Sequence, residues 1–135
     1  MVDVRRGSPT FKRWIGVALS SDNFHQIYVP AGFAHGLCVT SEVAEVEYKC
    51  TALWNPAQEI AVRWDDPQIG IAWPIGAPQL SEKDAAAPLL TALPAAQLRP
   101  LDLNALVTEV LALYGREHDS GRLSARLAAA PPRIL

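Results

Sequence analysis

Hydrophobic and polar positions alternate with a period of two over much of the first half of the chain. Val2 and Val4 alternate with Asp3 and Arg5. Ile15, Val17 and Leu19 share one face of Trp14–Leu19. In 43–50, Ala44, Val46, Tyr48 and Cys50 face one way and Glu45, Glu47 and Lys49 the other. This rhythm predicts short, half-buried antiparallel strands. His25–Val29, Ala34–Thr40 and Ile60–Trp64 read as further strands. Clusters such as Gly7-Ser8-Pro9-Thr10 and Ser20-Ser21-Asp22-Asn23 punctuate them as turns. Tyr28-Val29-Pro30-Ala31-Gly32-Phe33-Ala34-His35-Gly36 reads as a strand end, a Pro-x-Gly turn and a strand that opens on a histidine. Pro30 belongs at a strand boundary, because it cannot donate a ladder hydrogen bond. Gly32 permits the reversal. His35 shares a face with Leu37 and Val39, and so points into a core or a barrel mouth.

The rhythm changes later. Ser81 ahead of Glu82-Lys83-Asp84 is a cap on a single helical turn. Leu89–Pro100, rich in Ala, Leu and Pro, reads as a linker. Beyond it Leu103, Leu106, Val107, Val110 and Tyr114 recur at helical spacing, with Asp102 as a cap and Gly115 as a stop. A second helix is expected from Ser120 to Ala129. The pattern divides the chain into an all-β domain at 1–90 and a linker with an amphipathic helical tail at 91–135.

Composition narrows the function. The chain has 135 residues, 50% of them hydrophobic and 19% charged, with a net charge of −2. That suits a packed domain, and it disfavours a general nucleic-acid binder, which needs a basic field. No apolar run has the length of a membrane span and no basic-then-apolar leader is read, so the expected location is cytoplasmic. Cys38 and Cys50 read as small buried hydrophobes in a reducing compartment. His25, His35 and His118 are scattered and give no metal-ligand spacing, so no metal and no cofactor are expected. There is no Gly-x-Ser-x-Gly and no Gly-rich phosphate loop. By pattern alone Tyr48 is an inner-face core tyrosine, Asp84 a solvated carboxylate, and Trp54 the anchor of the loop Leu53-Trp54-Asn55-Pro56. Trp14, Trp64 and Trp73 read as core.

Longer words add to this. Pro-x-Gly-x-x-His resembles the second half of the cupin signature. IYVPAGFAHG, EYKC, RWDDPQIGIAWP and LSEKDAAAP, in that order, resemble the dTDP-4-dehydrorhamnose 3,5-epimerase family over about residues 2–90. The resemblance implies a partial cupin-type jelly roll with a C-terminal helical appendage. It implies a dTDP-sugar ligand, and epimerisation by proton abstraction and return beside a 4-keto group. Tyr48 falls on the family's acid and Asp84 on the aspartate that orients its base. His35 and Lys83 match diphosphate contacts, and Trp54 stands where an aromatic residue stacks on the thymine. The family's base histidine lies in a Gly-Leu-His word upstream of the matched region, and no such word occurs here. Asp84 is then left without its partner, which favours a non-catalytic sugar-nucleotide-binding or assembly protein as the alternative. Missing upstream strands leave apolar edges to be covered by the tail, by a second copy or by a separate polypeptide. A homodimer is the expected assembly.

Overall fold

The computed structural model describes residues 1–102; they comprise one compact unit, Met1–Leu101, and the first residue of a second. The helices expected at 103–114 and 120–129, together with His118, lie outside the described residues.

The unit is built outward from β1 (Val2–Asp3), which pairs antiparallel with β2 (Phe33–Ala34) in the register Val2 to Ala34 and Asp3 to Phe33. On its other side β1 meets the returning chain. Asp3 N–H donates to Arg13 O at 3.0 Å, Lys12 N–H to Asp3 O at 2.8 Å, and Ile15 N–H to Met1 O at 2.9 Å. The reversal between them is the expected Gly7–Thr10 turn, closed by Phe11 N–H on Ser8 O. Lys12 completes it in the left-handed region at φ 68°. Gly32 also has a positive φ, 87°. That conformation, natural for glycine, turns the chain so that Gly32 O can accept from Val4 N–H. A Cβ at this position would stand 2.5 Å from Arg5 Cγ, so the turn requires glycine on two counts.

Val2 and Val4 point into a small core with Ile69, Leu90 and Leu98, edged by Phe11, Trp14, Val62, Ile71 and Leu93. The segment expected as a linker supplies part of this core. Residues 89–100 contain two single-turn 3-10 helices, Leu90–Ala92 and Ala95–Gln97, that bring Leu90 and Leu98 inward. Arg6 then clasps their end: its N–H donates to Arg99 O at 2.9 Å, and its O accepts from Leu101 N–H at 2.9 Å. An Ala-Leu-Pro run lacks strand rhythm because its leucines are buried by turns rather than by alternation.

Beneath the valines, the opposite face of β1 carries a buried carboxylate. Asp3 is 1% exposed. Its oxygens accept from Arg5 Nε at 3.0 Å, Arg5 Nη2 at 2.7 Å, Ser8 Oγ at 2.6 Å and Thr10 Oγ1 at 2.6 Å, and from the Arg5 backbone at 2.9 Å. Burial alone would raise its pKa. The hydrogen bonds from Arg5, Ser8 and Thr10 outweigh that and hold it well below the usual carboxylate range. Arg5 also lies over the Phe33 ring at 4.4 Å, so the same cluster seats β2. A second buried carboxylate, Asp66, accepts from Gln68 N–H at 2.8 Å and Leu90 N–H at 2.7 Å and pins the Asp65–Pro67 loop to the 3-10 turn.

The remaining expected strands are not paired. Among the described residues no ladder forms along 16–31, 35–50 or 60–64, and the named sheet has two strands. Their apolar faces stand open: Ile15, Val17, Leu19, Leu37, Val39 and Val46 are all exposed, and Val43 is 77% exposed. His35 is exposed with Leu37 and Val39, which corrects the expectation that this face enters a core or barrel mouth. Cys50 is exposed and Cys38 half-buried, which corrects their reading as core residues. Trp14, Trp64 and Trp73 are half-buried. The physical reason is common to all. Alternation predicts that a face will be covered, but the covering strands must be supplied by other residues. The described residues thus show a β-based unit with little helix, and neither a closed jelly roll nor the helical appendage.

Candidate active site

Five residues were expected to carry the chemistry, and the structure places them on four separate segments. Lys83 and Asp84 lie on α1 (Glu82–Ala85), the single turn expected from the sequence. Ser81 caps it reciprocally: Ser81 Oγ accepts from Asp84 N–H at 3.1 Å and donates to Asp84 Oδ2 at 2.7 Å. The Asp84 carboxylate is therefore occupied by its own cap. Lys83 projects from the same turn and forms an ion pair with Glu59.

Glu59 belongs to the loop that carries Trp54. Here Asn55 Oδ1 accepts from Ala57 N–H at 3.1 Å and starts a 3-10 turn, Pro56–Gln58. Glu59 N–H closes the turn on Pro56 O at 3.3 Å. Pro56 at the first position presets φ and has no N–H to lose. Trp54, immediately before the turn, is 78% exposed. This corrects its reading as a loop anchor and leaves a flat ring available for stacking. Tyr48 is 79% exposed, so its strand face is not an inner one. His35 is also exposed. Among the described residues no hydrogen bond or ion pair links Tyr48, His35 or Trp54 to Asp84. The structure joins Lys83 and Asp84 to the Trp54 loop through Glu59, and among the described residues gives Tyr48 and His35 no hydrogen bond or ion pair to them.

A shallow cavity of about 250 Å³ lies elsewhere, lined by Trp64, Asp66, Pro67, Ile71, Trp73 and Ile75, among others. Trp73 Nε1–H donates to Trp64 O at 2.8 Å and the two rings meet at 59°. None of the five expected residues lines it. Among the described residues no cluster of three or more His, Cys, Asp or Glu side chains could hold a metal ion, and no helix is long and apolar enough to cross a membrane. Sequence reasoning missed Glu59, Asp3 and Asp66. For Asp3 a signal existed: Ser8 and Thr10 flank Pro9 within reach of an aspartate and an arginine. For Glu59 no local pattern pointed to Lys83, which lies 24 residues away.

Comparison with known proteins places the chain in a family. A sequence model of dTDP-4-dehydrorhamnose 3,5-epimerases matches residues 1–92. The chain is 55% identical over 86 residues to a dTDP-4-dehydrorhamnose 3,5-epimerase of Neisseria gonorrhoeae, an alignment that covers 63% of this chain and 26% of that one. It is 52% identical over 90 residues to that of Salmonella typhimurium, covering 66% and 49%. The crystal structure of dTDP-6-deoxy-D-glucose-3,5-epimerase from Legionella pneumophila in complex with dTDP-4-keto-L-rhamnose superimposes with a TM-score of 0.72 at 48% identity, covering 75% of this chain and 54% of that one. Over the matched part the backbone thus resembles that of this epimerase, although the described residues form a sheet of two strands. The chain spans about a quarter to a half of the length of these curated relatives. On the match across residues 1–92, the chain belongs to the dTDP-4-dehydrorhamnose 3,5-epimerase family.

Proposed function

We propose that this chain supplies the nucleotide-binding and proton-donating part of an epimerase that acts on dTDP-4-dehydro-6-deoxyglucose, in the cytoplasm, as a homodimer. The single observation that carries this reading is the family match across residues 1–92, a span that includes Tyr48, Lys83 and Asp84. The Trp54 ring stacks on thymine, and Lys83 and His35 meet the diphosphate as a point charge and a donor. The 4-keto group acidifies the C3 and C5 protons. A base removes one and leaves its electron pair as an enolate. The Tyr48 hydroxyl then returns a proton to the opposite face, and the resulting phenolate is reprotonated from solvent. Asp84 is a positioning residue for the base, and that base is a histidine that neither His25 nor His35 supplies by its match. The exposed apolar side chains of the 43–46 segment, Val43 and Val46, are covered by the second copy.

A second reading has an observation in its favour. The Asp84 carboxylate accepts from its own cap, Ser81, rather than from a histidine. In that reading the chain holds a dTDP-sugar without turning it over. Solvent deuterium exchange into dTDP-4-dehydro-6-deoxyglucose, followed by NMR at C3 and C5, separates the two. Deuterium that enters with the native chain and fails to enter with Tyr48→Phe supports epimerisation. Bound dTDP with no deuterium supports the binding reading. No dTDP binding at all overturns both.

A further inference from the structure

The His35 side chain is exposed, and among the described residues no hydrogen bond or ion pair holds it. Its position therefore depends on the backbone that carries it, and that backbone is anchored just ahead of it. The ladder of β1 and β2 ends on the pair Val2 and Ala34, one residue before His35. Arg5 braces this short strand from the side. Its Nε and Nη2 fork onto the two oxygens of Asp3 at 3.0 and 2.7 Å, which fixes the plane of the guanidinium. The guanidinium lies over the Phe33 ring, 4.4 Å from its centroid. The stem of the same side chain closes on the turn, where Arg5 Cγ stands 2.5 Å from the place a Cβ would take at Gly32. One side chain thus covers both the turn residue and the first strand residue of the segment that delivers His35. Two peptide planes separate Phe33 from His35, so a displaced Phe33 carries His35 with it and few soft dihedrals absorb the shift.

We propose that Arg5 is a positioning residue for His35: it holds the Phe33 ring, and so presents the imidazole at a fixed place to the diphosphate of a sugar nucleotide. This rests on the reading of His35 as a diphosphate contact given above. Arg5 is not itself placed as a ligand. Its side chain is 11% exposed and its fork is filled by Asp3. A donor that is held in place before the ligand arrives spends less of its binding free energy on ordering. A cation that touched the diphosphate would act without Phe33, whereas a brace acts through it. The two roles therefore differ in the effect of Phe33→Leu, which keeps an apolar side chain and removes the aromatic face.

The test uses calorimetric titration of the full chain with dTDP, thymidine and inorganic diphosphate. Phe33→Leu is preferred to Arg5→Ala, which would strip Asp3 of its counter-ion and endanger the fold. In Phe33→Leu, positioning weakens dTDP and diphosphate about fivefold, the scale of one cation–π contact, and leaves thymidine unchanged. Phe33→Tyr, which keeps an aromatic face, binds all three as the native chain does. Arg5→Lys, which keeps the charge and loses the planar fork, weakens dTDP as Phe33→Leu does. In a His35→Ala background Phe33→Leu has no further effect, because the group it positions is gone. Unchanged diphosphate binding in Phe33→Leu or in Arg5→Lys overturns the proposal, as does an equal loss for thymidine, or additive losses in the double variant. A native chain that binds no diphosphate, or a His35→Ala chain that binds it as tightly as the native one, overturns the functional reading of His35 and this proposal with it. A loss in His35→Ala that neither Phe33→Leu nor Arg5→Lys reproduces overturns the positioning role alone.

Discussion

Replacing Asp3 by alanine removes the group on which the first fifteen residues converge. Its carboxylate accepts five hydrogen bonds, two of them from the Arg5 guanidinium, and is 1% exposed. Alanine leaves the Arg5 charge, with its side chain 11% exposed, without its counter-ion, and takes from the Ser8 and Thr10 hydroxyls the acceptor they share. Breaking a buried pair from one side costs about 3–5 kcal/mol. A domain of this size has roughly 5–15 kcal/mol of stability in all. Asp3→Ala should therefore lose about a fifth or more of the total, read as a fall in the urea midpoint at unchanged m-value. Asp3→Asn keeps the shape and one acceptor, and should lose less. The pH dependence has a definite sign. Because the folded protein holds this carboxyl below its ordinary value, its contribution is fully present above about pH 4–5. It declines as pH falls from there toward the folded value, and the variants should lack this part of the acid destabilisation. Arg5→Ala, Asp3→Ala and the double variant close a cycle. Additive losses, or an unchanged midpoint in Asp3→Ala, would refute the idea that the cluster organises the unit.

Two further variants address the turn and the open face. Gly32→Ala forces an L-residue to φ 87° and sets its Cβ against Arg5, which Asp3 prevents from swinging aside; urea titration should show a loss of about 1–3 kcal/mol. A midpoint unchanged from the native chain would mean that the turn relaxes without strain. Val43→Glu with Val46→Glu places two charges on the segment assigned to the dimer and should weaken association roughly hundredfold or more by sedimentation equilibrium. A monomeric native chain, or a variant that dimerises as well as the native one, would locate the covering surface elsewhere.

Much of the local structure around the candidate site was legible in the chain because it is set by neighbouring residues. The Ser81 cap, the α1 turn and the exposed loop before Pro56 follow from neighbouring residues, and their geometry matches. The words that carry the family likeness are also contiguous, so they could be read without a fold. The Pro-x-Gly turn was legible for the same reason, with Gly32 at a φ that suits glycine.

What the sequence by itself determined is therefore the family, the turns and the residue types available to the site. The tertiary structure alone decided what is covered. Two-residue alternation marks Val46 and Tyr48 as one face, but burial needs a neighbouring strand, and those faces stand exposed among the described residues. Alternation equally marks Asp3 as outward. It is buried because Ser8, Thr10 and Arg5 close over it with enough donors to offset the desolvation of its charge. The Leu89–Pro100 run carries no periodic signal, yet Leu90 and Leu98 complete the core, because Asp66 and Arg6 hold their backbone in place from far along the chain. Long-range partners of this kind leave no local pattern, and so the contact between Glu59 and Lys83 became visible only once the chain was folded.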